Sequence, residues 1–420
     1  MPWAAAPGSG ETAPGEVVCV QVVDAGDDAR MMGRRLKLIR QARRKSLVVV
    51  AGLAGMSTAT LSRIENGLRA LDRHSEIVAL AAALEISPSE LMRLPLPAPG
   101  NGHTDSATEA VRHALHAVSN HLPGGQVLPV DALRARVAAL VAAHGRCDHP
   151  GDVGAALPAL IRDLHSSITA GRDVAELLDL AIILHTQVTV GWLRVAGASL
   201  DLRWQAAVLA RQAAQDRDTP AALGVALWGG LYVLIGAGNF ELALGGLDAL
   251  TMPTNTPEAM QVAGTLALSR SLLAAVDSRP GDVEAPFQQA VELAERTGEG
   301  NAYGMSFGPT NVGLWRMYGQ LDVYDYEQAV HVGERLHPEA HLPRLVQADY
   351  WVNFGRALAR VRRRREDAVM AFRRAEEISP QRLYRDPFAT EVIAELLVRF
   401  QRDAVGRELR RMAYRAGLPV

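Results

Sequence analysis

Residues 51–67, AGLAGMSTATLSRIENG, decide the fold of the first part of this chain. Gly55 interrupts an otherwise helical stretch, and a tight turn between two packed helices favours a residue that adopts positive φ. Ala51 is small enough to let two helices cross closely, while Leu61 and Ile64 fall on one face of the second helix. The stretch therefore predicts two short helices joined by a tight turn, a helix-turn-helix.

The flanking residues extend this motif to a domain of five short helices. Ser46 and Ser57 can cap the second and third helices. Residues 87–90, SPSE, match a capping box with proline at the first helical position, and they predict the start of a fifth helix. Apolar residues at helical spacing mark the first and fourth helices: Met32, Leu36, Ile39, Ile77, Leu80, Ala81 and Leu84.

Composition bounds the class of protein. With 48% hydrophobic residues and a net charge of -2 over 420 residues, the chain is globular and not uniformly basic, so any contact with nucleic acid must be local. Cys19 and Cys147 stand far apart, which excludes a disulfide framework and a four-thiolate zinc site and favours the reducing cytoplasm. The most apolar stretch, residues 177–184, is interrupted by Asp179, and neither a signal peptide nor a membrane span is predicted.

Charge and residue type divide the chain into four parts. Residues 1–29 are acidic and lack Lys and Arg, which predicts a flexible tail. Residues 30–94 contain the five predicted helices and a strong excess of Lys and Arg, which predicts a positive face. Residues 95–107 are rich in proline, glycine and small polar residues and predict a linker. Residues 108–420 form the remaining domain.

The third predicted helix has an outer face of small and polar side chains. Such groups suit the major groove of DNA, where base edges offer donors, acceptors and thymine methyl groups. An amphipathic surface helix in a bundle is the alternative, but it leaves the spacing of Ala51 and Gly55 and the nearby arginines unexplained. The outer face consists of Ser57, Thr58, Ala59, Ser62, Arg63 and Asn66.

Residues 32–91, from MGRRLKLIRQ to EISPSEL, resemble the XRE-type, lambda-repressor-like helix-turn-helix domain, most closely as it occurs at the N-terminus of actinobacterial regulators. The resemblance implies binding to double-stranded operator DNA. It implies base contacts by Ser57, Thr58, Ala59, Ser62 and Arg63. It implies phosphate contacts by Ser46, Asn66, Arg69 and Arg73. One departure is Leu47, which stands where many relatives have glutamine at the start of the second helix.

The C-terminal domain shows a helical repeat. Residues 350–380 have the tetratricopeptide spacing with one residue added to the turn, because Trp351, Gly355 and Leu358 are followed by Ala368, Phe372, Ala375 and Pro380. Fainter copies occupy residues 227–250, 266–295 and 312–336, and residues 108–200 are expected to be helical. The stretches FGPTNVGLW, AEEISPQRLYRDP and ELRRMAYRAGLPV also resemble the C-terminal half of the same regulators. The predicted fold is all-α, a helix-turn-helix domain followed by a tetratricopeptide-like α-solenoid; ordinary helical hairpins are the alternative for each faint copy.

Several groups of residues resemble a metal site, a nucleic-acid patch or a phosphate loop, but each match is incomplete. His144, Cys147 and His149 offer three metal ligands without a fourth. The run Arg362–Arg365 is expected in a solvated turn between paired helices. The glycine-rich stretches lack the lysine and the strand-to-helix context of phosphate loops, and no nucleophile motif is present. We therefore expect no metal, no cofactor and no enzymatic activity.

These patterns predict a sequence-specific transcriptional regulator in the cytoplasm that binds an inverted-repeat operator as a homodimer. The alternative is a tetratricopeptide interaction scaffold with an auxiliary DNA-binding domain. A peptide or small-molecule effector in the concave groove of the repeats is expected, with solvation of the groove as the competing explanation for its polar residues. The candidate groove residues are Tyr303, Thr310, Asn311, Arg316, Asn353 and Arg356. Residue spacing does not encode the operator, the effector or the choice between activation and repression.

Overall fold

A computed structural model describes residues 31–92, 103–399 and 404–418, and regular secondary structure in these ranges is helical throughout, as the sequence predicts. The predicted acidic tail and most of the predicted linker lie outside the described residues. A helix already begins at His103, so the predicted linker, which ended at residue 107, was drawn too long.

The N-terminal domain has the five predicted helices, α1 (Met31–Ala42), α2 (Leu47–Leu53), α3 (Thr58–Glu65), α4 (His74–Leu84) and α5 (Pro88–Leu91). The Ser46 hydroxyl accepts a hydrogen bond from Val49 N at 3.2 Å, and this confirms the predicted cap of α2. Gly55 adopts φ 66° in the turn before α3, as predicted. The capping box predicted for α5 was wrong, because Ser87 makes no capping hydrogen bond and instead shares a hydrogen bond with the Ser89 hydroxyl.

Apolar residues of all five helices form one small core. The residues of the predicted stripes are buried except for half-buried Ile39, and Leu36, Leu61 and Leu80 are fully inaccessible to solvent. This core is completed by Phe388, which lies more than 290 residues further along the chain and is 6% exposed. The two domains therefore share hydrophobic packing.

The second domain begins with a less regular group of helices, α6 (His103–Ser119), α7 (Val130–Gly145), α8 (Pro150–Thr169), α9 (Val174–Ile183), α10 (Val190–Val195) and α11 (Leu200–Arg217). A π-helical segment, Leu184–Thr189, connects α9 to α10. The expectation of helices over residues 108–200 is confirmed.

The remaining helices are α12 (Pro220–Ala237), α13 (Phe240–Asp248), α14 (Pro257–Val276), α15 (Glu284–Thr297), α16 (Pro309–Asp322), α17 (Tyr326–Gly333), α18 (Pro338–His341), α19 (Arg344–Arg360), α20 (Arg365–Ile378), α21 (Pro380–Tyr384), α22 (Pro387–Arg399) and α23 (Ala404–Arg415). Successive helices pack as hairpins, α11 with α12, α14 with α15, α16 with α17 and α19 with α20. In the last hairpin a Cβ on Gly355 would come within 2.7 Å of the Phe372 ring, so glycine permits the close approach that the repeat spacing predicts.

Three helical stretches, Val174–Val195, Pro220–Ala237 and Pro257–Val276, are long and apolar enough to cross a bilayer by length and composition alone. Neighbouring helices cover 61%, 61% and 78% of these windows. Their apolar character matches burial on most sides inside a stack of helices.

Candidate nucleic-acid interface

A sharp bend presents α3 to solvent. The chain changes direction by 109° between α2 and α3. Leu61 and Ile64 hold the inner side of α3 in the domain core. Because these residues recur at helical spacing, the opposite side of α3 forms one outer face.

The residues predicted to contact bases lie together on this face. Ser57, Thr58, Ala59 and Arg63 are exposed, and Ser62 is half-buried. The Ser57 hydroxyl also caps α3, accepting a hydrogen bond from Thr60 N at 3.1 Å. Within the described ranges the Arg63 side chain makes no hydrogen bond or ion pair, so its guanidinium is available for a bidentate contact with a guanine edge. Base contact itself stays a prediction.

Part of the predicted positive face is internal. The Arg40 guanidinium donates to both carboxylate oxygens of Glu65, at 2.6 and 2.8 Å, with the two side chains only 12% and 2% exposed. The Lys45 ammonium donates to Ala83 O and to Glu85 Oε1, both at 2.8 Å. Both side chains are already paired within the domain, so the cationic surface left for DNA is smaller than the sequence suggested.

The four predicted phosphate contacts fall in two places. Ser46 is exposed at the start of α2, and Asn66 is exposed at the end of α3. Arg69 and Arg73 instead both donate to Glu76 Oε1 of α4 in their own domain, at 2.6 and 2.7 Å, on the side that contacts the second domain.

Tyr324 lies in the loop after α16 of the second domain and contacts both Arg69 and Arg73. Its hydroxyl donates to Glu76 Oε1 at 2.5 Å and accepts from the Arg69 guanidinium at 3.0 Å. The Arg73 guanidinium lies over the Tyr324 ring and also donates to Asp322 O at 3.0 Å. The phosphate role predicted for Arg73 does not fit this arrangement, because the side chain is buried between the domains.

A second polar cluster joins the domains around Asp72. The Arg360 guanidinium donates to Asp72 Oδ2 at 2.8 Å and to Glu395 Oε2 at 2.5 Å, and Arg356 donates to Asp72 O at 2.5 Å. Glu395 Oε2 also accepts from Ala70 N at 3.0 Å. Burial acts to raise the pKa of Asp72, but the two guanidinium groups outweigh burial and hold this pKa below its usual value. We call this cluster the Asp72 latch.

Apolar and titratable groups of α22 extend the contact. The His74 and Phe388 rings meet edge to face with centroids 4.6 Å apart, and the Arg356 guanidinium lies over the same Phe388 ring. Met32 N donates to Glu391 Oε1 at 2.8 Å, which places a carboxyl group at the start of α1. Burial raises the pKa of Glu391 to about 7 and lowers that of His74 to about 4.

The six candidate groove residues do not form one site. Asn311 is buried and donates to Ser306 O at 2.5 Å, so it holds the preceding loop. Arg316 forms a bidentate ion pair with Glu284 at 3.0 and 3.1 Å. Arg356 belongs to the Asp72 latch. The expectation that packing leaves these three side chains free is corrected, since each has partners inside the protein.

The other three groove candidates are spread over separate elements. Tyr303 is 38% exposed and sits in a short 3₁₀ segment, where its carbonyl accepts from Gln187 Nε2 at 2.8 Å. Thr310 lies in the first turn of α16, and its amide donates to Glu299 Oε1 at 2.8 Å. Asn353 Oδ1 accepts from the Arg356 guanidinium at 2.5 Å.

Burial and helix capping describe two of the three candidate metal ligands, His144 and His149. Burial, with a contribution from nearby Arg382, lowers the pKa of His144 to about 3. His149 Nδ1 accepts from Gly151 N at 3.2 Å and caps α8. Within the part of the chain that the structure describes, no group of three or more His, Cys, Asp or Glu could hold a metal ion.

Sequence reasoning missed the residues of the second domain that hold the first. Tyr324, Arg360 and Phe388 carry no motif, and their partners lie about 250 to 320 positions earlier in the chain. It also missed an apolar patch on α2, where Val48, Val49 and Leu53 are 68%, 49% and 64% exposed; the VVV run at 48–50 was the available signal.

Known proteins support this assignment of the N-terminal domain. Residues 31–94 match the helix-turn-helix domain family. Over 82 residues the chain is 34% identical to the HTH-type transcriptional regulator RghRB of Bacillus subtilis (strain 168), and this alignment covers 20% of the chain and 55% of the relative. The chain thus spans about half the length of this relative and carries a helix-turn-helix domain homologous to that of a transcriptional regulator.

One solved structure aligns over a longer range. The crystal structure of ComR from S. thermophilus in complex with DNA and its signalling peptide ComS covers 72% of this chain and 93% of its own, with 14% sequence identity and a TM-score of 0.26.

Proposed function

We propose that this protein is a sequence-specific transcriptional regulator of the cytoplasm, not an enzyme, that reads operator DNA with α3. The observation that carries the proposal is the outer face of α3, where small polar side chains and Arg63 lie exposed on a helix anchored by Leu61 and Ile64. This composition fits base edges in the major groove. The match to the helix-turn-helix family and the homology to a regulator support the same function.

Replacing Arg63 by alanine tests the reading face. We expect the variant to lose about 1–3 kcal/mol of affinity for the selected site, because a bidentate arginine–guanine contact contributes about that much discrimination. Affinity for random duplex should fall much less. Fluorescence anisotropy titrations at one fixed salt concentration measure both quantities.

Arg211→Ala is the matched control, since it removes the same charge from an exposed position on α11, far from α3 in sequence. We expect it to bind both duplexes as the unmodified protein does. Equal affinity of Arg63→Ala and the unmodified protein for the selected site would show that α3 is not the reading helix.

We further propose that the regulator binds as a two-fold dimer on an inverted repeat. A single domain of about 60 residues buries too little surface for tight, selective binding, and a dimer doubles the contacts. Footprints should show dyad symmetry with half-site centres about 34 Å apart, one helical turn. Light scattering of the complex should give two chains per duplex; one chain per duplex contradicts the dimer.

The contact between the domains suggests how an effector could act. Arg69 and Arg73 can bind phosphates only by leaving Glu76 and Tyr324, so the docked arrangement and full backbone contact compete for the same guanidinium groups. A ligand of the second domain shifts this balance by the difference in its affinity for the docked and undocked arrangements. We propose that the second domain senses a peptide or small molecule and transmits its presence through this contact.

A further inference from the structure

The turn between α19 and α20 exposes three arginines that have no partner in the described part of the chain. A hydrogen bond from Arg364 N to Val361 O, at 3.2 Å, closes this turn. The Arg364 side chain is itself paired, with Asp367 and with Glu334. The exposed and unpaired members of the run are Arg362, Arg363 and Arg365. We call these three residues the basic turn.

The backbone does not account for arginine in the basic turn. Arg363 has φ 66°, a left-handed conformation in which glycine or asparagine is less strained. This turn is also one residue longer than the tetratricopeptide spacing requires. Glu366 follows the run directly and is exposed without a partner among the described residues, so one carboxylate opposes three guanidinium groups. The surface of the turn is therefore positively charged.

The Asp72 latch holds the basic turn beside the helix-turn-helix domain. Arg360, at the end of α19, donates to Asp72 Oδ2 at 2.8 Å. The basic turn starts two residues later, so its first Cα atom lies within about 8 Å of the Arg360 Cα atom. Asp72 belongs to the loop after α3, and this loop folds back on α3, since Leu68 N donates to Arg63 O at 2.8 Å. A continuous series of contacts thus joins α3 to the basic turn.

DNA bound to α3 would bring phosphates to this loop. The 8 residues of α3 make a helix about 12 Å long, and the major groove is about 12 Å wide. A helix of that length ends at the edge of the groove, so the chain that follows it leaves beside a sugar–phosphate backbone. In the docked arrangement Arg69 and Arg73 of this loop are held by Glu76. The basic turn supplies free cations next to the same loop.

We propose that the basic turn binds the DNA backbone next to the site that α3 reads, and that it gives the docked protein phosphate contacts in place of Arg69 and Arg73. This inference rests on the proposed function, the reading of operator DNA by α3. Guanidinium groups are strong donors to phosphate oxygens, and such contacts position a protein on the duplex without reading its sequence. DNA is favoured over an acidic protein as the partner, because the Asp72 latch places the turn next to the DNA-reading domain.

Removing the three charges tests the proposal. The triple variant Arg362→Gln, Arg363→Asn, Arg365→Gln keeps polar side chains and puts asparagine at the left-handed position. Its affinity for the selected site and for random duplex should fall by the same factor. The slope of log affinity against log salt concentration should become less steep by about 0.9 for each phosphate contact that is lost. Base preference should be unchanged, in contrast to Arg63→Ala.

A matched control removes the same charge from other parts of the second domain. Arg172, Arg211 and Arg296 are exposed and make no ion pair within the described ranges. Glutamine at all three should leave the salt slope unchanged, because the slope reports phosphate contacts and not net charge. Both triple variants should melt at the temperature of the unmodified protein, since the replaced charges have no carboxylate partner.

Glu366→Gln changes the charge of the same surface in the opposite direction. It removes the carboxylate that follows the basic turn, so both duplexes should bind more tightly than they bind the unmodified protein. This second variant keeps the test decisive if the triple variant melts at a lower temperature.

Ethylation interference locates the contacts. Ethylation of phosphates at the edge of the groove that α3 occupies should weaken binding of the unmodified protein and leave binding of the triple variant unaffected. An unchanged salt slope in the triple variant, unchanged affinity of Glu366→Gln, or the same interference pattern for both proteins overturns the proposal and leaves the turn to solvent or to an acidic protein. Selective binding with any of these results removes only the basic turn, whereas absence of selective binding by the unmodified protein removes the proposed function as well.

Discussion

Asp72→Asn is expected to cost about 1.5–3 kcal/mol of the free energy that holds the two domains together, the range for a hydrogen bond to a charged group. Asparagine preserves the size of the side chain but removes the charge beside Arg360, whose other partner Glu395 remains; the bond from Arg356 to the main-chain oxygen of Asp72 is also kept. Arg360 is 14% exposed and Asp72 5%, so solvent screens this pair little. The helix-turn-helix domain should then undock from the repeats while keeping its own core residues, apart from Phe388.

Hydrogen exchange measures this undocking directly, because backbone amides at the contact should exchange faster. The amides of Ala70 and Met32 should respond first, since their acceptors lie in the second domain. Asp248→Asn is the control, because its ion pair with Arg270 is exposed and should contribute about 0–1 kcal/mol. Unchanged exchange at Ala70 in Asp72→Asn would contradict the latch.

Acidification from pH 8 to pH 5 is expected to destabilise the protein by on the order of 4 kcal/mol. Burial lowers the pKa of His74 and His165 to about 4 and of His144 to about 3, and it holds that of His185 well below the usual value. Below about pH 6.5 the unfolded chain takes up protons at these histidines and the folded protein does not. Each histidine therefore lowers the stability by about 2 kcal/mol at pH 5.

Two buried carboxyl groups oppose the histidines. Burial raises the pKa of Glu391 to about 7 and, together with Asp72, that of Asp322 to about 6, although nearby arginines act against the latter shift. At these two groups the folded protein keeps a proton that the unfolded chain has already released. Their contribution to stability is therefore present at low pH and is lost as the pH rises through the pKa of the folded state. Four histidines outweigh two carboxyl groups, and the net effect of acid is destabilising.

Melting temperature against pH tests this balance. His165 Nε2 and His185 Nε2 lie 3.0 Å apart, so a double leucine variant removes two of the four imidazoles with lowered pKa from one place. The melting temperature of this variant should depend less steeply on pH than that of the unmodified protein. Glutamine at exposed His113 and His116 is the control and should leave the slope unchanged. A melting temperature that rises on acidification contradicts the prediction.

The helix-turn-helix domain was predictable because its determinants are local. Ser46 and Ser57 cap helices within three residues of themselves, and Gly55 supplies the positive φ of the turn. The last repeat was predictable for a similar reason, since Gly355 and Phe372 belong to adjacent helices of one hairpin. The spacing of residues that are close in sequence indicates such contacts directly.

The contact between domains was not predictable from spacing. Asp72 and Arg360 are separated by 288 positions, and an isolated aspartate in a basic stretch looks like any surface acid. The same limit explains the phosphate prediction for Arg73, whose partners Asp322 and Tyr324 lie about 250 positions later, at the end of α16 and in the loop after it. Long-range packing decides whether an arginine faces solvent or protein.

Selection of bound duplexes from a random DNA library by the full-length protein, followed by sequencing, tests the central claim most directly. The account predicts enrichment of one inverted repeat with half-sites about one helical turn apart. It also predicts that Arg63→Ala loses preference at one guanine in each half-site while Arg211→Ala enriches the unaltered motif. No enriched sequence, or the same motif at equal strength from Arg63→Ala, would contradict a regulator that reads DNA with α3.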